Sequence, residues 1–107
     1  MQDNLLLAAS ERFGTPLYVY DANKIIDQYH TLKNAFPNVS VKLNYAMKAL
    51  SNTHILQLLL AEGSGCDAVS IEEVQLALRA GFKPQDILFT PNCVSFEEIQ
   101  YAVKLDI

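Results

Sequence analysis

The sequence predicts an α/β fold, the N-terminal part of a (β/α)8 TIM-type barrel with about three βα units and the start of a fourth strand. Short β-rich segments alternate with helical segments, and two S-x-x-E motifs that begin at Ser70 and Ser95 set a period of about 25 residues. Strands and helices that alternate in this way form βαβ units around a parallel sheet. The chain has 107 residues, whereas a whole barrel typically needs about 250.

The first predicted elements precede this repeat. Pro16 fixes its own φ angle and biases the residue before it toward extended backbone, so a strand is predicted at Leu17–Tyr20. Asp21 can cap the helix that follows, and Pro37 ends that helix. The apolar residues of the helix recur at steps of four, three and four, which places them on one face: Ile25, Tyr29, Leu32 and Phe36.

The next predicted strand runs from Val39 to Met47 and leads directly to Lys48. One face carries Val39, Val41, Leu43, Tyr45 and Met47, and the opposite face carries Ser40, Lys42, Asn44, Ala46 and Lys48. The apolar face suits a barrel strand that lies under helices. Because barrel interiors are usually packed with branched apolar side chains, a small and polar interior face is itself a hint of function.

The repeat supplies the remaining elements. Strands are predicted at Cys66–Val69, at Ile87–Thr90 and, as the first residues of a fourth strand, at Leu105–Ile107. Helices are predicted to begin at Ser51 or Asn52 and at the capping boxes Ser70–Glu73 and Ser95–Glu98, with Gly63 and Gly81 following two of them. A natural protein rarely stops as a parallel strand begins, so we expect residues 1–107 to be a single partial domain of a longer protein.

Charge and hydropathy exclude several classes of partner. The net charge is −4, the pI is about 4.9, and no run of Lys or Arg occurs, so neither nucleic acid nor an anionic membrane surface is an expected partner. The longest apolar run, Leu58–Ala61, is far shorter than the roughly 20 residues of a membrane span. The N-terminus lacks the pattern of a signal peptide, and a cytoplasmic location is expected.

The cysteines and histidines do not form a metal-binding pattern. Cys66 and Cys93 are too few and too far apart for a paired zinc motif, and neither histidine has a partner at ligand spacing. No metal is expected, and both cysteines are expected to be reduced thiols.

Lys48 is the outstanding candidate for chemistry. It follows a predicted parallel strand on the face that would point into a barrel, and the active sites of such barrels lie at the carboxyl ends of the strands. Burial there would favour the neutral amine that condenses with a carbonyl group. By position alone, an ordinary surface lysine is the favoured interpretation, because most lysines are exposed.

Four segments, in order along the chain, carry a resemblance to a known family: Phe13–Asp21, Asn44–Ala49, Gly65–Ser70 and Ile87–Asn92. The second resembles the Y-A-x-K-A strand motif of the alanine-racemase-like, fold type III pyridoxal-phosphate enzymes. The third resembles the G-x-D-x-x-S segment of their second barrel strand. The first resembles the opening of diaminopimelate decarboxylases in particular. The resemblance extends from about Phe13 to Val103.

The resemblance implies a cofactor, a reaction and a set of site residues. Pyridoxal phosphate would be the cofactor, bound covalently by Lys48, and Asp67 would lie near that lysine and balance its charge. The implied reaction is decarboxylation of meso-diaminopimelate, a small amino-acid substrate, to L-lysine. The resemblance also implies that the full-length protein is a homodimer. Members of the family place the phosphate loop, the ring-stacking histidine and the acidic partner of the pyridine nitrogen later in the chain, and a C-terminal β-domain follows the barrel.

Three residues at or near the implied site, Asp67, Glu73 and Cys93, have a structural interpretation as well. Asp67 can instead bond local backbone at the start of a strand. Glu73 also matches an acidic position of the family, but its spacing from Ser70 favours a helix cap. Cys93 follows the third predicted strand, on the catalytic rim, where most cysteines are small packing residues.

Other functions remain open at this stage. An ornithine- or arginine-type decarboxylase or an amino-acid racemase would share the fold and Lys48. A regulatory relative without catalysis would be expected to have lost that lysine. A nucleotide-binding α/β module predicts a glycine-rich turn after the first strand, whereas Ala49–Asn52 contains no glycine.

Overall fold

The structure is a computed structural model, and it describes residues 3–107. Two helices precede an alternating series of strands and helices. In chain order the elements are α1 (Asp3–Phe13), α2 (Ala22–Asn34), β1 (Asn44–Ala46), α3 (Thr53–Ala61), β2 (Gly65–Ala68), α4 (Ile71–Ala80), β3 (Ile87–Phe89) and α5 (Phe96–Lys104). Single 3₁₀ turns follow β1 at Met47–Ala49 and precede β3 at Pro84–Asp86.

The three strands form one parallel sheet in the order β1-β2-β3. A helix follows each strand, so the three predicted βα units are confirmed. The register pairs Tyr45 with Cys66 and Cys66 with Ile87. Paired residues of a parallel sheet point to the same face, so this row shares a face.

That face is covered by the helices and contains the core. Met47, Leu56, Cys66 and Val74 are the largest fully buried side chains. Tyr45 packs at the margin of the same cluster, as predicted for the apolar face of its strand. The opposite face of the sheet is open: Leu88, at the centre of β3, has half of its side-chain surface exposed. This is the face that lies inside a closed barrel.

The segment before the sheet differs from the prediction. Residues 17–20 form no strand, and the side chain of Tyr18 is 89% exposed. A strand needs a neighbour for its hydrogen bonds, and no segment among residues 3–107 pairs with this one. The helix α1 was not predicted, and none of its residues is buried, so packing gives its sequence no strong pattern.

The helix α2 begins as predicted, because the Asp21 side chain accepts a hydrogen bond from the Lys24 backbone N–H. That bond lowers the pKa of Asp21 below its ordinary value. The predicted apolar face is only partly used. Tyr29 is buried, whereas Leu32 and Phe36 are exposed.

The strand predicted at Val39–Met47 is shorter, since only Asn44–Ala46 pairs with β2. The predicted fourth strand at Leu105–Ile107 is wrong. These residues form the Schellman turn that ends α5: Asp106 is left-handed, with φ of 60°, and the Ile107 N–H bonds the Ala102 carbonyl at 3.1 Å. Gly63 and Gly81 adopt the same left-handed conformation after α3 and α4, as predicted.

Candidate active site at the carboxyl edge of the sheet

The turn that follows β1 presents Lys48 at the carboxyl edge of the sheet. Met47 is fully buried in the core, and the next residue, Lys48, is exposed. The lysine was predicted to follow directly on a strand that ends at Met47, and it lies in the 3₁₀ turn Met47–Ala49. The backbone turns here because Met47 inserts its side chain beneath the sheet, and the turn packs against β2.

A second contact fixes this turn at its far end. The Tyr45 hydroxyl donates a hydrogen bond to the Leu50 carbonyl at 3.1 Å, which joins the strand before the turn to the residue after it. Burial raises the pKa of Tyr45 above its ordinary value, so the hydroxyl remains a donor at neutral pH. Lys48 therefore lies on a turn that is fixed on one side by the buried Met47 side chain and on the other by the Tyr45–Leu50 hydrogen bond. Precise positioning of a functional side chain requires such support.

Asp67 lies on the neighbouring strand, on the open face of the sheet. The register pairs it with Ala46, two residues before Lys48, so both predicted site residues lie at the carboxyl edge. Its carboxylate accepts a hydrogen bond from the Thr90 hydroxyl at 2.5 Å. This bond crosses from β2 to the end of β3, whereas the structural interpretation of Asp67 predicted a bond to local backbone. Thr90 was not among the predicted site residues.

Glu73 caps the helix after β2, as its spacing predicted. Its backbone N–H donates to the Ser70 hydroxyl at 3.3 Å, and its carboxylate accepts from the Val69 N–H at 2.8 Å. The second bond reaches one residue earlier than in a standard capping box. The box at Ser95 and Glu98 is complete, with both reciprocal bonds present.

Residues 22–107 match the sequence model of the family described as pyridoxal-dependent decarboxylase, pyridoxal binding domain. The chain belongs to this family. The predicted family, fold class and cofactor are thereby confirmed at the level of the pyridoxal-dependent decarboxylases.

Individual members of the family resemble the chain over most of its length. The diaminopimelate decarboxylase of Helicobacter pylori strain J99 is 45% identical over 97 residues, which cover 91% of this chain and 24% of that protein. The crystal structure of a Helicobacter pylori diaminopimelate decarboxylase complexed with L-lysine superposes with a TM-score of 0.80 at 42% identity, covering 92% of this chain and 26% of that one. The lysine/ornithine decarboxylase of Vibrio vulnificus, complexed with putrescine, gives a TM-score of 0.87 at 35% identity, covering 95% and 28%.

The chain thus spans about a quarter of the length of the pyridoxal-dependent decarboxylases that it matches. It corresponds to the N-terminal part of their barrel domain, which the strand order and the βα units of the structure also show.

The groups at the carboxyl edge fit the cofactor of this family. Lys48 offers a primary amine, the group that bonds covalently to the aldehyde of pyridoxal phosphate. Asp67 offers a carboxylate on the adjacent strand, which can balance the positive charge of that nitrogen. The structure therefore contains a suitable donor set for the reactive end of the cofactor. No cluster of His, Cys, Asp and Glu suited to a metal ion occurs among residues 3–107.

An apolar groove of about 490 Å³ runs along the free edge of β1, between α2 and α3. Tyr20, Leu43 and Ile55 contribute to its walls, and Lys48 and Asp67 lie outside it.

Among residues 3–107, no helix combines the length and apolar character that crossing a membrane requires.

The two thiols are expected to differ sharply in reactivity. Cys66 is fully buried, and burial, followed by the charges of Glu73 and Asp67, raises its pKa to about 12. The thiolate is the nucleophile, so Cys66 should stay inert at neutral pH. Cys93 is exposed. A disulfide reagent should label one thiol quickly in the folded protein and the second only after denaturation.

The matched variant Cys93→Ser identifies which thiol is the fast one. Rapid labelling should disappear in that variant, and peptide mapping of the parent protein should place the early label on Cys93. Equal labelling rates for the two cysteines would contradict the burial of Cys66 in the core.

Proposed function

We propose that the protein to which this chain belongs is a diaminopimelate decarboxylase, which converts meso-diaminopimelate to L-lysine and carbon dioxide with pyridoxal phosphate. The observation that carries the proposal is the placement of Lys48, an exposed amine on a fixed turn at the carboxyl edge of β1, beside the Asp67 strand. Two diaminopimelate decarboxylases of Helicobacter pylori, 45% and 46% identical to the chain, support the choice of substrate.

Each side chain has a proposed task. Pyridoxal phosphate, when bound, supplies an electron sink for the electron pair left behind as carbon dioxide departs. Lys48 Nζ would hold the cofactor covalently and, when released from it, would carry a proton as an ammonium group. The Asp67 carboxylate balances that charge. Met47 and Tyr45 act at a distance from the reaction, because they fix the turn on which Lys48 lies.

A lysine/ornithine-type decarboxylase is the second candidate. The Vibrio vulnificus structure supports it with a TM-score of 0.87, against 0.80 for the Helicobacter pylori enzyme, but a diaminopimelate decarboxylase of M. jannaschii also reaches 0.87, so backbone similarity does not separate the two candidates. Sequence identity favours the opposite assignment, at 35% against 42%. We give identity the greater weight, because substrates are read by side chains and these enzymes share the backbone of the barrel.

Competing decarboxylation assays test the substrate. The longer protein, loaded with pyridoxal phosphate, should release carbon dioxide from meso-diaminopimelate with a kcat/KM about 100-fold or more above those for L-ornithine, L-arginine and L-lysine. The three competitors lack the second carboxylate, and a site built for that group would be left with unpaired polar atoms. A preference for ornithine or lysine would favour the second candidate. Racemisation without carbon dioxide would exclude both.

The proposal also covers the domain, the assembly and the location of the longer protein. Residues 1–107 form one part of a barrel domain, and the longer protein works as a homodimer in the cytoplasm on a small amino-acid substrate. The two outer strands of the described sheet have free edges, which supports a continuing barrel. Sedimentation velocity of the longer protein measures the assembly, and a monomer that retains full activity would contradict the dimer.

A further inference from the structure

Thr90 is tied to β2 by two hydrogen bonds from a single residue. Its backbone N–H donates to the Ala68 carbonyl at 2.9 Å, which extends the β2–β3 ladder one step past the end of β3. Its hydroxyl donates to the Asp67 carboxylate at 2.5 Å. The backbone bond fixes where the side chain of Thr90 starts, so the hydroxyl is aimed at Asp67 by the ladder itself.

The register places this bond on the functional face of the sheet. Asp67 pairs with Leu88, and Thr90 lies two residues further along, so all three side chains share the open face. A hydroxyl that donates to an ionised carboxylate makes a charge-assisted bond, which is short and stronger than a neutral one. With Oδ1 committed to Thr90, Oδ2 is the oxygen left to meet an amine.

Two other titratable groups lie near the pair formed by Thr90 and Asp67. The Glu73 carboxylate is engaged by the Val69 N–H at 2.8 Å. Cys66, on the helix-covered face, stays protonated at neutral pH because burial raises its pKa. Among the described residues, Thr90 donates the side-chain hydrogen bond that holds the Asp67 carboxylate.

We propose that Thr90 is a positioning residue whose hydroxyl orients the Asp67 carboxylate toward the Lys48 amine. The inference rests on the proposed role of Lys48 in holding pyridoxal phosphate, and it is independent of which amino acid is the substrate. Thr90 acts through Asp67, to which its hydroxyl donates a hydrogen bond.

Thr90→Val tests the proposal, because it removes the hydroxyl and keeps the β-branched shape. The readout is the pH midpoint of the absorbance change of the lysine-bound cofactor in the longer protein. A well-oriented carboxylate favours the protonated nitrogen and raises this midpoint, so Thr90→Val should lower it by about half a pH unit or more. Thr90→Ser keeps the hydroxyl and should restore the midpoint.

Two comparisons separate positioning from a general structural effect. Thr31→Val removes a hydroxyl that bonds the Asp27 carbonyl within α2, at 2.7 Å, and should leave the midpoint unchanged. In an Asp67→Asn background, Thr90→Val should add little, because residues that act as one unit are not additive. An unchanged midpoint in Thr90→Val, or additive effects of the two substitutions, would overturn the proposal. Borohydride labelling of a lysine other than Lys48 would instead show that the proposed role of Lys48 is wrong.

Discussion

Replacing Lys48 with alanine is expected to abolish covalent binding of pyridoxal phosphate and to reduce decarboxylation about 1000-fold or more, as the loss of other covalent nucleophiles does. Lys48 is the residue that the fixed turn after β1 presents at the carboxyl edge. Its replacement removes the amine and leaves the buried anchor Met47 in place, so the fold should survive. Lys48→Arg should also fail, since a guanidinium keeps the charge without a nucleophilic amine.

The matched control is Lys42→Ala. Lys42 precedes β1 and pairs with Asp86 at 2.7 Å, close to the amino end of the sheet. An exposed pair of this kind contributes about 0–1 kcal/mol to stability, so the variant should keep its cofactor and its activity. Borohydride reduction of the parent protein, followed by peptide mapping, should place the cofactor on Lys48. A label on another lysine, or normal activity in Lys48→Ala, would disprove the assignment.

The 107-residue chain expressed alone is expected to have no decarboxylase activity and to self-associate. The outer strands β1 and β3 each have a free edge, and free edges pair readily with other chains. Large apolar side chains are also exposed, among them Leu7, Phe13, Phe96 and Val103. Such surfaces favour association. Binding of pyridoxal phosphate through Lys48 should be weak, because the phosphate-binding loop of related enzymes is expected in a later segment.

Three measurements on the isolated chain check this expectation. Sedimentation velocity over a concentration series should show association, urea should unfold the chain with a shallow and poorly cooperative transition, and meso-diaminopimelate should yield no carbon dioxide. A monomer that unfolds cooperatively and turns over diaminopimelate would show that residues 1–107 hold a whole active site.

Local signals in the sequence predicted most of the repeating βα units. Ser95 with Glu98 and Ser70 with Glu73 marked the helix starts, because capping depends on residues only three positions apart. Leu17–Tyr20 failed for the opposite reason. A strand forms only where a neighbouring strand accepts and donates its backbone hydrogen bonds. The β-rich composition of residues 17–20 could not show that such a partner was lacking among the described residues.

The candidate site divides in the same way. Lys48 and Asp67 were predicted from motifs that resemble a family, together with their places at strand ends. Thr90 was missed because its bond to Asp67 spans 23 residues and depends on the register between β2 and β3. Alternation along β3 from Leu88 could have placed it on the same face, had that register been known.

Under the proposed role of Lys48, its adjacency to Met47 would link heat stability to cofactor retention. One residue is sealed in the core and the next is the proposed attachment point, so loosening the core around Met47 also releases the turn. Under this assignment we expect the longer protein to have no state in which the core around Met47 is unfolded while Lys48 keeps its position. Warming the loaded protein would then remove bound cofactor and helical structure together, in a single concerted transition.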